Sequence, residues 1–201
     1  MGPGKLFGGR IMLEFEKKFM LSKKEYEQLC HIYDTYPVHT QVNFYYDTED
    51  FSYNSKGITC RIRKKGDTYK ATIKTHHANV VECSIEKCVD ANSEYDVFLF
   101  EGMDVIGHGQ LQTERKEIMI LNGIMLALDK NTYLGTEDYE LEIEYEPHME
   151  QYCEDVLQTI VKQLAENNFD SLLCDFHKRM NLGLTKSERF FARKGNRTKE
   201  E

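Results

Sequence analysis

The feature of this chain that most limits how it can fold is charge placed at every second residue. If the stretch "MLEFEKKF" is a strand, Glu14, Glu16 and Lys18 share one face while Leu13, Phe15 and Phe19 take the other, because strand side chains alternate. The pattern returns with Arg61 and Arg63, with Lys70, Thr72 and Lys74, and with Glu140, Glu142 and Glu144. In one antiparallel strand this is an ordinary solvent-facing side. As a set it is harder to place in water, since the chain carries eight strand candidates. A small domain with that many strands closes its sheet or nearly closes it, which takes one face away from bulk solvent. A charged inner face is then a charged channel. Two like charges about 5 Å apart at an effective dielectric of about 20 repel by roughly 3 kcal/mol, so such a lumen needs mixed signs and a counter-ion or ligand. The signs are mixed, with basic strands in the middle of the chain and acidic strands at both ends. Arginine and lysine grip phosphate oxygens and carboxylates take hard divalent cations, so a triphosphate with its metal matches the division.

The remaining segments fit one domain. "SKKEYEQLCHIYDTY" places Ser22 three residues before Glu25, a capping-box pattern, and predicts a helix to about Tyr36 that stops before Pro37. The strand candidates that follow are "TQVNFYYDT", "GITCRIRKK", "TYKATIKTH" and "NVVECSIEK", with "KKGDT" as a hairpin turn. "ANSEYDVFLFEGMD" is expected to hold a short helix. Three more strands are expected in "QLQTERKEIMIL", "GIMLALDKNTY" and "DYELEIEYE". Pro147 opens a long amphipathic helix whose stripe of Met149, Tyr152, Cys153, Val156, Leu157, Ile160, Val161 and Leu164 is read as core. One or two short helices follow.

The expected division is a vector-derived leader over residues 1–11 with Met12 as the natural start, one domain over 12–190, and a basic, disordered tail over 191–201. A formal net charge of −8 argues against non-specific nucleic-acid binding, and 201 residues at 40% hydrophobic content suffice for a real core. The cysteines Cys30, Cys60, Cys83, Cys88, Cys153 and Cys174 show no two-residue gap of a zinc or redox motif, so they read as reduced thiols of a cytoplasmic protein. No stretch approaches the roughly 20 apolar residues of a membrane span, and the leader lacks the apolar run of a signal peptide.

Glu14-x-Glu16-x-Lys18 resembles the ExExK signature of the CYTH superfamily, the triphosphate tunnel metalloenzymes. The resemblance continues in order through "NFYYDT", "CRIRKK", "ATIKT", "TERKE", "LALDKN" and "ELEIEYE" and spans nearly all of residues 12–189. It implies an α+β fold, an eight-stranded antiparallel β-barrel or tunnel with flanking helices, that binds a triphosphate together with Mg²⁺ or Mn²⁺. Carried over by position, the triphosphate-binding cations are Lys18, Arg61, Arg63, Lys74 and Arg115, with Lys186 of "TKSER" in addition. The metal ligands are Glu14, Glu16, Asp129, Glu142 and Glu144; Glu16, Lys18 and Glu142 are the catalytic set, and Glu82 occupies a similar acidic position. Glu142 and Glu144 are preferred as the last acidic pair because the family's pair is flanked by apolar residues and ends its strand, as "LEIEY" does; Glu140 and Glu142 are the alternative. Ahead of Glu82, where many members carry a basic residue, this chain has Val80 and Val81, which leaves one phosphate contact open.

The reaction such a tunnel supports most directly is metal-dependent hydrolysis of a terminal phosphoanhydride, which needs positioning and charge neutralisation rather than a protein nucleophile. Inorganic tripolyphosphate is the first choice of substrate and a nucleoside triphosphate the second. A class IV-type adenylate cyclase ranks third, because no adenine pocket is legible. A non-catalytic triphosphate- or polyphosphate-binding module is the reading from a different class, and a plain barrel with a solvated polar face is a third. His76 and His77 are read as loop residues, and Tyr45, Tyr46 and Asp47 as structural. The partner is a small triphosphate, not nucleic acid or membrane, and the resemblance allows a homodimer through an outer face.

Overall fold

Two antiparallel meanders, joined through one long strand, close the barrel. The computed structural model describes residues 5–6, 9–76, 82–165, 168–180 and 184–197. The first meander comprises β3 (Val38–Asp47), β4 (Ile58–Lys65), β5 (Thr68–His76) and β6 (Cys83–Ala91), and the second β8 (Ile106–Leu121), β9 (Ile124–Tyr133) and β10 (Thr136–Tyr145). Strand β2 (Arg10–Leu21) bridges them: its first half pairs with β6 and its second half with β10. The β3–β8 ladder shuts the other side, giving the closed order β10-β2-β6-β5-β4-β3-β8-β9. The eight-stranded barrel expected from the sequence is therefore present. A separate two-stranded ladder pairs β1 (Lys5–Leu6) with β7 (Phe100–Glu101), and β2 already begins at Arg10, so ordered pairing starts inside the segment expected to be a leader.

Helix α1 (Lys23–Ile32) starts with the expected capping box, in which the Glu25 amide donates to Ser22 Oγ and the Ser22 amide donates to the Glu25 carboxylate at 2.7 Å. Helices α2 (Cys153–Leu164) and α3 (Phe169–Arg179) lie with α1 over one outer flank of the barrel. That flank supplies the outward residues Phe19, Leu126, Leu128, Leu141 and Ile143, which pack against Leu29, Leu157, Ile160, Val161 and Phe176 of the helices. Each such side chain contributes about 1.5–3 kcal/mol when fully buried. The apolar face of every strand in this flank is thus its outer one, and the polar face is left for the lumen.

Three expectations change. The segment 91–104 forms only a 3₁₀ turn at Val97–Leu99 before β7. Asp96 accepts from the Asn92 amide at 2.7 Å and from Ser93 Oγ at 3.0 Å, local bonds that compete with a helix. Its Leu99 and Phe100 cover a second outer core on Ile62, Ala71 and Ile73. The tail does not fray at 191: α4 runs Lys186–Arg197, opened by a second capping box between Thr185 and Glu188. Phe190 and Phe191 are buried with Tyr45, Leu111 and Tyr133. The barrel makes room for them at Gly109, whose φ of 128° lies outside ordinary L-residue range and where a Cβ would stand 3.2 Å from the Phe190 ring. Finally, Glu82 precedes the first ladder position of β6 and sits with Lys17 and Tyr145, 3.3 and 2.7 Å away. Both partners belong to the outward alternation of their strands, so Glu82 is not a lumen residue.

Candidate active site

Alternation within the closed barrel turns Glu14, Glu16 and Lys18 of β2, Arg61 and Arg63 of β4, Lys74 of β5, Arg115 of β8, and Glu142 and Glu144 of β10 toward one cavity of about 50 Å³. The N-terminus of α4 closes over it with Thr185, Lys186 and Ser187, and Ser187 Oγ lies 2.6 Å from Thr59 Oγ1. The opening pattern of the chain is thereby explained: Phe15 and Phe19 face the helical flank, and the alternating acid–acid–base triplet Glu14, Glu16 and Lys18 faces inward.

The charges are interleaved. Lys18 sits 3.3 Å from both Glu142, directly opposite it in the β2–β10 register, and Glu16, two residues before it on β2. Lys74 contacts Glu14 and lies 3.5 Å from Glu16 and from Glu86. Arg61 pairs with Glu86 at 3.2 Å. Arg115 grips Asp129 with Nε at 2.8 Å and Nη2 at 2.6 Å, touches Glu142, and reaches Glu144 at 3.2 Å. Lys186 enters from α4 to contact Asp129 at 2.9 Å, Glu142 at 2.7 Å and Glu140. Complete burial pulls the Lys186 ammonium well below the ordinary lysine range; Arg115 and Lys18 add to that shift, and the contact with Asp129 opposes it.

Glu82 aside, the residues expected at the site reach the lumen, yet not in the expected grouping. Among the described residues, the acidic side chains close enough to share one cation are Asp129, Glu140 and Glu142, whose ligand atoms lie within 4.8 Å of one another. Lys186 already fills that triad, and both Asp129 oxygens are taken by Arg115 and Lys186. Asp129 is therefore a counter-ion in this structure, while Glu14, Glu16 and Glu144 form a second acidic stretch beside Glu142. The all-carboxylate donor set of that stretch suits a hard divalent cation. Within β10, Glu140 is fully buried beneath Lys186 and Arg189, whereas Glu144 lines the cavity.

Several lumen residues were not anticipated. Glu86 is the inward acid of β6, paired in register with Lys74; Glu82 drew attention instead because it has the same alternation, and the start of β6 at Cys83 is not readable from the sequence. Gln41 and Asn43 of β3 are buried amides that carry no charge signal. Arg189 of α4, 2.8 Å from Asp138 and 2.7 Å from Glu140, was hidden by the expectation of a frayed end close behind it. Tyr46 and Asp47 are structural, as read: Tyr46 stacks outward on Phe100, and Asp47 accepts from the amides of Tyr53 and Asn54 at 2.9 and 2.8 Å. Tyr45 lines the cavity and packs on Phe190. His76 also lines it, with burial and then Lys74 and Lys18 lowering its basicity; His77, Val80 and Val81 lie outside the described residues.

The electrostatics differ along the cavity. Burial alone would raise Glu16, but Lys18, Lys74 and Lys186 hold it well below the ordinary carboxylate range. Glu86 is likewise held down to about 2, against its burial, by Arg61, Lys74 and Arg63. Glu144 goes the other way, pushed up to about 8 by burial and then by Glu142, Glu14 and Glu16, with Arg115 opposing. Arg63 drops to about 10 through burial beside Arg61 and Arg115.

An acid whose pKa is raised on folding costs stability increasingly as pH climbs from its unfolded to its folded value. Without added cation, the protein is expected to lose several degrees of Tm between about pH 4.5 and pH 8, and Glu144→Gln to flatten that slope. Glu86 acts in the opposite sense and in a different window, its contribution being present above about pH 4.5 and lost toward pH 2. A wild-type Tm that is level from pH 5 to 8, measured by calorimetry, would show that the acidic stretch is not self-repulsive.

Comparison with known proteins agrees with this architecture. The CYTH domain family pattern matches residues 12–171. YjbK of Bacillus subtilis (strain 168), a protein named provisionally as a triphosphatase, is 32% identical over 148 residues, covering 66% of this chain and 77% of that protein. Among solved structures, a protein of Bacillus halodurans named provisionally as an adenylate cyclase superposes with a TM-score of 0.61 at 24% identity, covering 80% of this chain and 97% of its own. HpAC1 from Hippeastrum, provisionally named an adenylyl cyclase and described as having a dominant triphosphatase activity, superposes with a TM-score of 0.57 at 15% identity, covering 81% and 95%.

Proposed function

The chain belongs to the CYTH domain family, and from that premise we propose that it is a divalent-metal-dependent triphosphatase acting on inorganic tripolyphosphate or a related triphosphate compound. The observation that carries the reading is Arg63. It is partly buried beside Arg61 and Arg115 and, among the described residues, has no carboxylate within ion-pair distance, Glu86 acting on it only from farther away, whereas Lys18, Arg61, Lys74, Arg115 and Lys186 each have one in contact. A guanidinium drawn out of water with no carboxylate in contact is costly, and an anion that joins it offsets that cost. Arg61 Nε and Asn43 Nδ2, both buried without a hydrogen-bond partner, add donors on the same strands.

In this reading Lys18, Arg61, Arg63, Lys74 and Arg115 hold the phosphate chain, and Lys186 reaches it from α4. Glu14, Glu16, Glu142 and Glu144 would hold Mg²⁺ or Mn²⁺, which supplies charge neutralisation on the phosphate oxygens. Glu16, kept ionised by its lysine neighbours, is in the form needed to orient a water. Water adds to the terminal phosphorus, the anhydride P–O bond breaks, and orthophosphate and pyrophosphate leave with one proton released. No helix among the described residues is long and apolar enough to cross a membrane, and a small soluble triphosphate is the partner the cavity suits. A non-catalytic binding module is the second reading, favoured by the occupation of the Asp129–Glu140–Glu142 triad by Lys186.

The test is phosphate release from tripolyphosphate, ATP and thiamine triphosphate, each with Mg²⁺, Mn²⁺ or chelator, with Glu16→Ala as control. Metal-dependent release from tripolyphosphate is expected, reduced about 100-fold or more in the variant. Calorimetric binding of tripolyphosphate without release would favour the binding module, and pyrophosphate with cyclic AMP from ATP would favour a cyclase.

A further inference from the structure

The absence of a carboxylate at Arg63 has a specific cause. Its Nε donates to Oδ1 of Asn43 at 2.8 Å, and the two residues lie directly opposite each other in the β3–β4 register. That bond settles the orientation of the amide, because only the oxygen can accept from a guanidinium. The nitrogen, Nδ2, is then left buried without a partner among the described residues, on a side chain that is 0% exposed. Gln41, two residues earlier on the same face, leaves its Nε2 in the same state.

The contrast with Arg115 shows what Asn43 does. Asp129 receives Arg115 through the same Nε edge, at 2.8 Å, and adds a second oxygen to Nη2 at 2.6 Å, so orientation and neutralisation come together. At Arg63 the amide supplies the orientation alone. An aspartate in place of Asn43 would be almost isosteric and would close a second ion pair of the Arg115 kind, removing the attraction for an incoming anion.

We propose that Asn43 is a positioning residue for triphosphate binding, a neutral acceptor that aims the Arg63 guanidinium while leaving its charge and its Nη donors for a phosphoryl group. The inference rests on the triphosphate reading given above. It makes Arg63, oriented by Asn43, the point on the cavity wall where an anion adds most, since every other cation there already has a carboxylate in ion-pair contact.

The experiment measures tripolyphosphate affinity by calorimetry, and Tm with and without tripolyphosphate, for the full-length wild type, Asn43→Asp, Asn43→Ser, Arg63→Met and the double variant Asn43→Asp/Arg63→Met. Asn43→Asp is expected to raise the Tm of the unliganded protein and to weaken tripolyphosphate binding about 10- to 100-fold, the equivalent of one charge-assisted contact. Asn43→Ser, which keeps Arg63 without a carboxylate in contact but less well aimed, is expected to bind about 3- to 10-fold more weakly than wild type, a fraction of the same contact. On the Arg63→Met background, Asn43→Asp should add little further loss, because the group it acts through is gone. A merely structural asparagine would not give opposite signs in stability and affinity. Asn43→Asp binding within about twofold of wild type, or fully additive losses in the double variant, would overturn the assignment. If Asn43→Asp does not fold, Asn43→Ser binding as tightly as wild type would overturn it equally. A wild type that binds no triphosphate would instead remove the functional reading on which the inference stands.

Discussion

Glu142→Ala is expected to lower metal-dependent phosphate release about 100- to 1,000-fold and to destabilise the fold by about 3 kcal/mol. Glu142 is 4% exposed and touches three cations from three different elements: Lys18 at 3.3 Å, Lys186 at 2.7 Å, and Arg115. Each of them keeps another carboxylate, Glu16 for Lys18 and Asp129 for the other two, which places the stability loss at the lower end for a broken buried pair. Turnover should suffer more than stability if, as proposed, this one acid both orients three phosphate-binding cations and belongs to the carboxylate set that holds the metal. Glu142→Gln separates the two effects, since it keeps the shape and removes the charge. Urea denaturation and phosphate release measured on both variants check this. A Glu142→Gln protein with wild-type release would take Glu142 out of the reaction and leave it a packing element.

How far the chain could be read before its structure follows from which signals are local. Residues 14, 16 and 18 and residues 140, 142 and 144 carry their charges at the strand period with apolar residues between them, so the inner and outer faces of β2 and β10 were legible at once. Arg61, Arg63 and Lys74 were legible for the same reason, their hairpin being marked by Gly66-Asp67. What could not be read is what depends on where a strand begins or what docks upon it. Glu82 and Glu86 have the same alternation, and only the pairing of Lys74 with Glu86 shows which one enters the lumen. Gln41 and Asn43 look like neutral polar residues until closure buries them. At residues 186–197 the helical period hides the fact that one turn delivers Lys186, Ser187, Arg189 and Phe190 to the barrel; the Thr185–Glu188 capping box was a signal for that helix which the basic composition of the tail overshadowed. Asp129, expected at a metal, is held by Arg115 and Lys186, a partnership between a β8 residue and an α4 residue that no spacing along the chain encodes.

That partnership leads to the second large effect. Lys186→Ala is expected to cost about 3–5 kcal/mol at neutral pH, because it leaves Asp129, Glu140 and Glu142 within 4.8 Å of one another without their shared ammonium. Arg115, Arg189 and Lys18 still touch members of the triad, but they approach it from outside, whereas Lys186 contacts all three acids. Three oxygens from three carboxylates at that spacing are what a divalent cation accepts. The vacated site should therefore bind Mg²⁺ or Mn²⁺, and millimolar metal should return much of the lost Tm in Lys186→Ala while shifting the wild type less. Lys186→Met is the companion variant: it fills the same volume without charge, so metal rescue should be weaker there than in Lys186→Ala. Thermal unfolding of the three proteins with metal or chelator decides the matter. A Lys186→Ala protein as stable as wild type in chelator would mean that the triad does not need the ammonium, and that the hold of α4 on the barrel rests on Phe190, Phe191 and Arg189 instead.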